Sequence, residues 1–204
     1  MIGLVAYGLG NIDAIANIYK RLNIPARAVS TANELAAVDR IILPGVGAFD
    51  RALMRLRESG MKDVLAERVL DRNTPVLGIC VGMQMMAESS SEGTLPGLGW
   101  IPGEVRRFDA SGPDGRVSLP HMGWNDVNPR RADDLFRKLD SGARFYFLHS
   151  YYFAPREPEH VLALTEYHGA YASSVNARNV FGVQFHPEKS HQWGIQLLKN
   201  FAEI

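Results

Sequence analysis

Cysteine is almost missing from this sequence: among 204 residues only Cys80 carries a thiol. That excludes an internal disulfide and any zinc site made from several cysteines. An excess of charge of one sign is also missing. Lys+Arg and Asp+Glu each number 22, so the formal net charge is zero. A surface that neutralises nucleic-acid phosphates needs clustered basic charge. The pairs Arg106-Arg107 and Arg130-Arg131 do not supply it, and nucleic acid is not an expected partner. No apolar run approaches the roughly 18 residues of a membrane span, so no membrane partner is expected. The segment Met1–Tyr7 has neither a basic n-region nor a long apolar h-region, and a cytoplasmic location is expected. No H-E-x-x-H or H-x-x-E-H run occurs, so no metal site is expected. Gly8-Leu9-Gly10-Asn11 invites a dinucleotide reading, but Asp13 stands at the third glycine position of G-x-G-x-x-G. No acidic residue ends the following strand, so the NAD reading is rejected and no cofactor is expected.

What is present reads as one soluble globular domain over residues 1–204, with 46% hydrophobic and 22% charged residues. The first half alternates strand and helix patterns. Ile2–Tyr7, Arg40–Leu43 and Pro75–Ile79 are apolar runs. Helices are expected over Asp13–Leu22, from Thr31 (capping-box spacing with Glu34), over Arg51–Arg57, Met61–Leu70 and Met83–Ala87. Strands buried on both faces and joined by helices indicate a parallel sheet. Ser89–Gly93 reads as a loop. Beyond residue 100 come short strands at Glu104–Phe108, Arg116–Leu119, Phe145–Leu148, Val161–Thr165, Tyr171–Val175 and Val180–Phe185. Asp133–Leu139 reads as a short helix, and a final helix starts near Ser190. The expected class is α/β: a mostly parallel central sheet flanked by helices, with an additional antiparallel portion packed onto it.

Gly78-Ile79-Cys80-Val81-Gly82 follows an apolar strand and precedes a helical segment. This is G-x-C-x-G, the cysteine form of a nucleophile elbow. A free cysteine is most often a small buried hydrophobe. The strand, the two glycines and the helix turn the reading towards a nucleophile presented at the carboxyl edge of a sheet. Of six histidines, His186 alone has a distinctive context. Pro187 holds it extended, and Glu188, two residues on, falls on the same side of an extended segment. A solvated turn explains His-Pro-Glu seen alone. Beside the elbow, a Cys80-His186-Glu188 triad is the better reading. Pro44-Gly45-Val46-Gly47, after another buried strand, suits backbone N–H donors for an oxyanion, although an ordinary turn also explains it.

In this order the pieces resemble the class I glutamine amidotransferases: a P-G-x-G loop, a G-x-C-x-G elbow followed by Gln84, and a late His-Pro-Glu. Leu43–Phe49, Gly78–Gln84, Pro120–Asn125, Phe145–Tyr151 and Gly182–Ser190 carry the likeness over nearly the whole chain. They point to the glutaminase subunits of histidine biosynthesis. Val81 stands where leucine is expected, a mild departure at a residue that contributes its backbone N–H. The resemblance implies hydrolysis of L-glutamine through a thioester on Cys80, with His186 moving protons and Glu188 orienting it. It also implies N–H groups of Val46 and Val81 as oxyanion donors, with Gly47 letting the loop rearrange, and Gln84 and Glu92 holding glutamine. The implied partner is a cyclase of (β/α)8-barrel type in a heterodimer. It would dock over the triad against Asn11, Met122, Trp124, Tyr146 and Lys189. An extended Pro120–Asn125 would point Met122 and Trp124 to one side and His121, Gly123 and Asn125 to the other. Three other readings stand beside this one. They are a class I amidotransferase with a different acceptor, a self-contained cysteine hydrolase, and a non-catalytic subunit that keeps the fold. In the hydrolase the acid usually precedes the histidine, and a non-catalytic subunit would lack part of the triad.

Overall fold

The computed structural model describes residues 1–109, 118–140 and 142–204. Strands β1 (Ile2–Val5), β2 (Ala26–Val29), β3 (Arg40–Gly45) and β4 (Val76–Cys80) alternate with α1 (Ile12–Arg21), α2 (Ala32–Ala36), α3 (Phe49–Glu58) and α4 (Lys62–Ala66). α5 (Val81–Gln84) follows β4 directly. Then come β5 (Ser89–Ser90), β6 (Gly103–Arg107), β7 (His121–Asp126), β8 (Asn128–Pro129), β9 (Arg144–His149), β10 (Tyr151–Pro155), β11 (Val161–Glu166), β12 (Ala170–Ala177), β13 (Val180–Val183) and α6 (His191–Glu203).

An eight-stranded sheet has the order β2-β1-β3-β4-β13-β12-β11-β8. From β2 to β13 all pairings are parallel, and from β13 to β8 all are antiparallel. Every residue of β1, β4 and β13 is buried, so both faces of the sheet are covered, as parallel sheets require. α1 turns Ile15 and Tyr19 inward at i, i+4, and the Tyr19 hydroxyl donates to the Leu198 carbonyl of α6 at 2.9 Å. α6 buries Leu197, Leu198 and Phe201. Thr31 and Glu34 close the expected capping box at the start of α2.

Several elements differ from the sequence reading for identifiable reasons. Part of the antiparallel portion, β12, β11 and β8, extends the main sheet itself, because β13 pairs with β4 on one side and β12 on the other, while β5, β6, β7, β9 and β10 form two further sheets. Asp133–Leu139 yields only one 3-10 turn, Asp134–Phe136, capped by the Asp133 side chain. Lys138 has φ +60 there, which a continuing right-handed helix forbids. The Met61–Leu70 helix passes from α4 into a π-helical turn at Glu67–Asp71. The helix expected over Met83–Ala87 is instead the single turn α5. Ser89–Ser90, read as loop, is a short strand paired with β6. Of the expected Arg116–Leu119 strand, Arg116 and Val117 lie outside the described residues, and Ser118 and Leu119 are not in a strand. β7 and β9 form a separate hairpin sheet that lies beside the carboxyl end of β13.

Candidate active site

Three segments leave the sheet at one edge. Gly45 ends β3 opposite Cys80 at the end of β4, and Val183 at the end of β13 lies opposite Ile79. The Pro44–Gly47 loop, the elbow and the run into His186 therefore converge by register alone, where open α/β sheets hold their sites.

Cys80 sits at φ +55, ψ −114. Such a backbone costs a non-glycine residue about 1–3 kcal/mol and persists only where its surroundings impose it. The glycines explain how they do. A Cβ on Gly82 would stand 1.8 Å from the Leu43 carbonyl oxygen, and one on Gly78 would stand 2.7 Å from the Met83 nitrogen. Strand, elbow and neighbouring strand are in contact with no room for a side chain. α5 is one turn long, so its dipole contributes little, and the sulfur depends on side-chain neighbours.

His186 is one of them. Its Nδ1 lies 2.9 Å from Glu188 Oε1, with both side chains almost fully buried. The same-side argument of an extended segment does not produce this contact. Pro187–Lys189 form a 3-10 turn, and the turn folds Glu188 back under the imidazole. The backbone is pinned on both sides: His186 N–H donates to the Tyr146 carbonyl at 2.8 Å, and the Ser190 hydroxyl donates to the His186 carbonyl at 2.6 Å. Burial alone would push the His186 pKa down. Hydrogen bonds to Cys80 and Glu188, and the negative charge of both, outweigh it and raise the value to about 10. With Nδ1 given to the carboxylate, Nε2 is left for the sulfur. The arrangement sets an imidazole, backed by a buried carboxylate, beside the one thiol of the chain.

A cavity of about 330 Å³ opens over the sulfur. Cys80, His186, Val46, Gly47, Val81, Gln84, Glu92 and Lys189 all line it, so one space gathers nearly every predicted catalytic, oxyanion and substrate residue. Glu188 stands behind the imidazole. The Pro44–Gly47 loop is anchored at its start, where the Tyr7 hydroxyl donates to the Pro44 carbonyl at 2.7 Å. Beyond that it is unpacked: Val46 is 38% exposed. Gly47 has φ +85, and among the described residues nothing lies within 4 Å of where its Cβ would be. Gln84 and Glu92 both have structural duties as well. Gln84 Nε2 donates to the Tyr151 carbonyl at 2.9 Å, and Glu92 Oε2 accepts from the Phe49 N–H at 2.9 Å, capping α3.

Of the predicted contact residues, Lys189 lines the cavity, and the others lie on β7, β9 and at the start of α1. In the β7–β9 hairpin, Met122 faces Leu148 and Trp124 faces Tyr146 in register. Met122 is 65%, Trp124 36% and Leu148 39% exposed, whereas His121 is buried. Lys189 Nζ sits 5.5 Å above the Tyr146 ring, and Trp124 stacks on His191 at 5.1 Å. Asn11 is the exposed N-cap of α1, and α1 packs on the Pro187–Lys189 turn.

Sequence reading missed a buried polar chain behind the cavity. Asn125 Nδ2 donates to the Glu166 carbonyl at 2.9 Å and to His121 Nε2 at 3.2 Å. His121 Nδ1–H then donates to the Tyr171 oxygen at 3.1 Å, the Tyr171 hydroxyl to His149 Nε2 at 3.2 Å, and His149 Nδ1–H to the Tyr151 carbonyl at 2.8 Å. Carbonyls can only accept, so both ends fix the direction of every bond, and each imidazole carries one proton. Burial accordingly lowers His149 to about 3 and His121 to about 4. His149 and Tyr151 line the cavity. Only the alternation of β7, β9 and β12 could have placed these residues inward, and their partnership is not written in any local motif.

The family description "Glutamine amidotransferase class-I" matches residues 8–204, and the chain belongs to that family. Its fold is shared with a crystal structure of a glutamine amidotransferase, at TM-score 0.76 and 20% identity, covering 100% of this chain and 99% of the other. It is also shared with a structure of PurLQS from Thermotoga maritima, at TM-score 0.70 and 18% identity, covering 99% of this chain and 97% of the other. Within the family the match narrows to one kind of protein. The imidazole glycerol phosphate synthase subunit HisH of Bdellovibrio bacteriovorus is 58% identical over 205 residues, covering 100% of both chains. The HisH subunit of Leptospira interrogans is 48% identical over 204 residues, again covering 100% of both.

Proposed function

We propose that this chain is the glutaminase subunit of an imidazole glycerol phosphate synthase in histidine biosynthesis. It acts as one domain over residues 1–204, in the cytoplasm, beside a cyclase of (β/α)8-barrel type in a heterodimer. The observation that carries this reading is that Cys80 and His186 line one cavity of about 330 Å³, with Glu188 Oε1 2.9 Å from His186 Nδ1 behind it. Among the described residues, no helix is long and apolar enough to cross a membrane.

Cys80 Sγ attacks the side-chain amide carbon of L-glutamine. The oxyanion that develops takes the N–H groups of Val81 and Val46, with Gly47 allowing the loop to turn. His186 gives its proton to the departing ammonia, leaving a γ-glutamyl thioester. It then takes a proton from water, which attacks the thioester and releases glutamate. Glu188 holds the imidazole in place and balances its charge. Gln84 and Glu92 hold the substrate's polar end. Ammonia passes to the cyclase through the Met122–Trp124–Tyr146 rim. There it reacts with a phosphoribulosyl formimino intermediate to give imidazole glycerol phosphate and an aminoimidazole carboxamide ribotide.

Because Val46 and Gly47 are unpacked, the second oxyanion donor is expected to be set by the partner. A missing donor costs about 2.7–4 kcal/mol, roughly 100- to 1,000-fold in rate. The test is glutamate release by the chain alone and with a cyclase and its nucleotide ligand. Rapid turnover only in the complex, abolished by Cys80→Ala while free ammonia still supports cyclisation, is the expected result. Full turnover by the isolated chain, or activity surviving Cys80→Ala, overturns the reading.

A further inference from the structure

We propose that Gln184 is a further catalytic residue: its buried side-chain amide donates an N–H to the Cys80 sulfur and favours the thiolate. Gln184 Nε2 lies 3.7 Å from Sγ, within hydrogen-bond range for sulfur, and the residue is fully buried.

The direction of that bond is not arbitrary. The Tyr151 backbone carbonyl can only accept, so the Gln84 atom 2.9 Å away from it is the amide nitrogen. That nitrogen has donors and no lone pair, so the Gln184 atom 3.0 Å from it is the amide oxygen. The other end of the Gln184 amide, which faces the sulfur, is therefore NH2. A single backbone carbonyl sets the polarity of two side chains and delivers a positive dipole end to the nucleophile. Both amides are buried, Gln84 at 2% exposure and Gln184 at 0%, so neither can flip without leaving a polar group unpaired out of water. His149 Nδ1–H donates to the same carbonyl and holds it from the other side.

The relay also divides labour at the sulfur. His186 supplies the proton that must leave. Gln184 cannot be deprotonated, so it stabilises negative sulfur in the free enzyme and again when the thioester breaks. A thiolate accepts such a bond more strongly than a neutral thiol does, which is why the contact discriminates between the two forms.

The proposal rests on Cys80 being the nucleophile, and its test does not depend on glutaminase activity. The rate of Cys80 alkylation by iodoacetamide is measured against pH for the full chain and for Gln184→Met and Gln184→Glu. Methionine keeps the length of the side chain without donors. Glutamate keeps the acceptor for Gln84 but offers the sulfur no N–H and adds negative charge. With thermal melting showing both variants folded, alkylation near neutral pH is expected to be about tenfold slower in Gln184→Met, as for loss of one charge-assisted hydrogen bond. Its pH profile should be displaced to the alkaline side, with Gln184→Glu displaced further. Superimposable profiles for wild type and Gln184→Met overturn the proposal and return Gln184 to packing. If Gln184→Met fails to fold, Gln184→Leu, which also lacks donors and adds no charge, is read in the same sense. Should wild-type chain with the cyclase release no glutamate, the function above fails, while a displaced alkylation profile still supports the Gln184 donor.

Discussion

The Asn125–His121–Tyr171–His149 chain makes the protein acid-sensitive in a calculable way. His149 is 7% exposed and holds its single proton on Nδ1 against the Tyr151 carbonyl. A second proton on Nε2 would face the Tyr171 hydroxyl, which donates to that atom. Burial keeps the native pKa at about 3, against 6.5 for the unperturbed ring. The sign follows. Below 6.5 the unfolded chain binds a proton that the native chain refuses, so stability is present above 6.5 and lost as pH falls towards 3. The loss is about 1.4 kcal/mol per pH unit once well below 6.5. Between pH 7.5 and 5, His149 alone removes about 2 kcal/mol, a sizeable part of a typical 5–15 kcal/mol. His121, lowered to about 4 by burial and the nearby His168 charge, acts in the same direction. His186 acts oppositely: its raised value means stability fully present below 6.5 and lost as pH rises through about 10. That background is common to wild type and a His149 variant, and cancels between them. Urea unfolding of wild type and His149→Asn across pH 5–7.5 is the assay. The variant should start less stable and fall by about 2 kcal/mol less over that range. Parallel acid slopes, or a native His149 imidazole resonance titrating near 6.5, would refute the reasoning.

The buried triad and the exposed rim give two further expectations. His186→Asn should cost far more glutaminase activity in the complex than Glu188→Gln, by about tenfold or more, because the first removes the group that moves protons and the second only its orienting partner; equal losses in kcat would show that Glu188 takes a direct chemical part. Trp124→Ala should leave the chain folded and Cys80 alkylation unchanged, since the partly exposed Trp124 is not part of the cavity lining. It should weaken cyclase docking or raise the ratio of glutamine hydrolysed to product formed, and an unchanged affinity with a ratio near one would place Trp124 outside the contact.

How much of this could be read from the chain follows from which contacts are local. The elbow was legible because its strand, its nucleophile and the two glycines that permit close approach lie within five consecutive residues, Gly78–Gly82. The capping box at Thr31 was legible for the same reason. The His186–Glu188 pair was found from its spacing, though the 3-10 turn that makes the contact was not. Lys138 shows the limit from the other side: the helix read over Asp133–Leu139 stops at Phe136, where Arg137 turns extended and Lys138 left-handed. Gln184 was invisible as chemistry. Its partners, Gln84 and Cys80, are 100 and 104 residues away, and nothing in a single sequence states which buried amide will meet which. The same holds for His121, Tyr171 and His149, which come from three strands in two different sheets.

β13 occupies the middle of the main sheet, between β4 and β12, yet among the described residues it is the last strand. Its insertion has a consequence for the order in which competence is acquired during synthesis. A nascent chain that has emerged as far as Ala177 contains the thiol, the elbow glycines and the Pro44–Gly47 loop. It has β3 on one side of β4 but no strand for the other, and neither His186 nor Gln184 beside the sulfur. Closing that gap joins segments about a hundred residues apart, and such long-range pairings are slow and come late. Topology alone thus orders the assembly: the centre of the sheet and the proposed base, His186, reach β4 together, well after the elbow and its thiol.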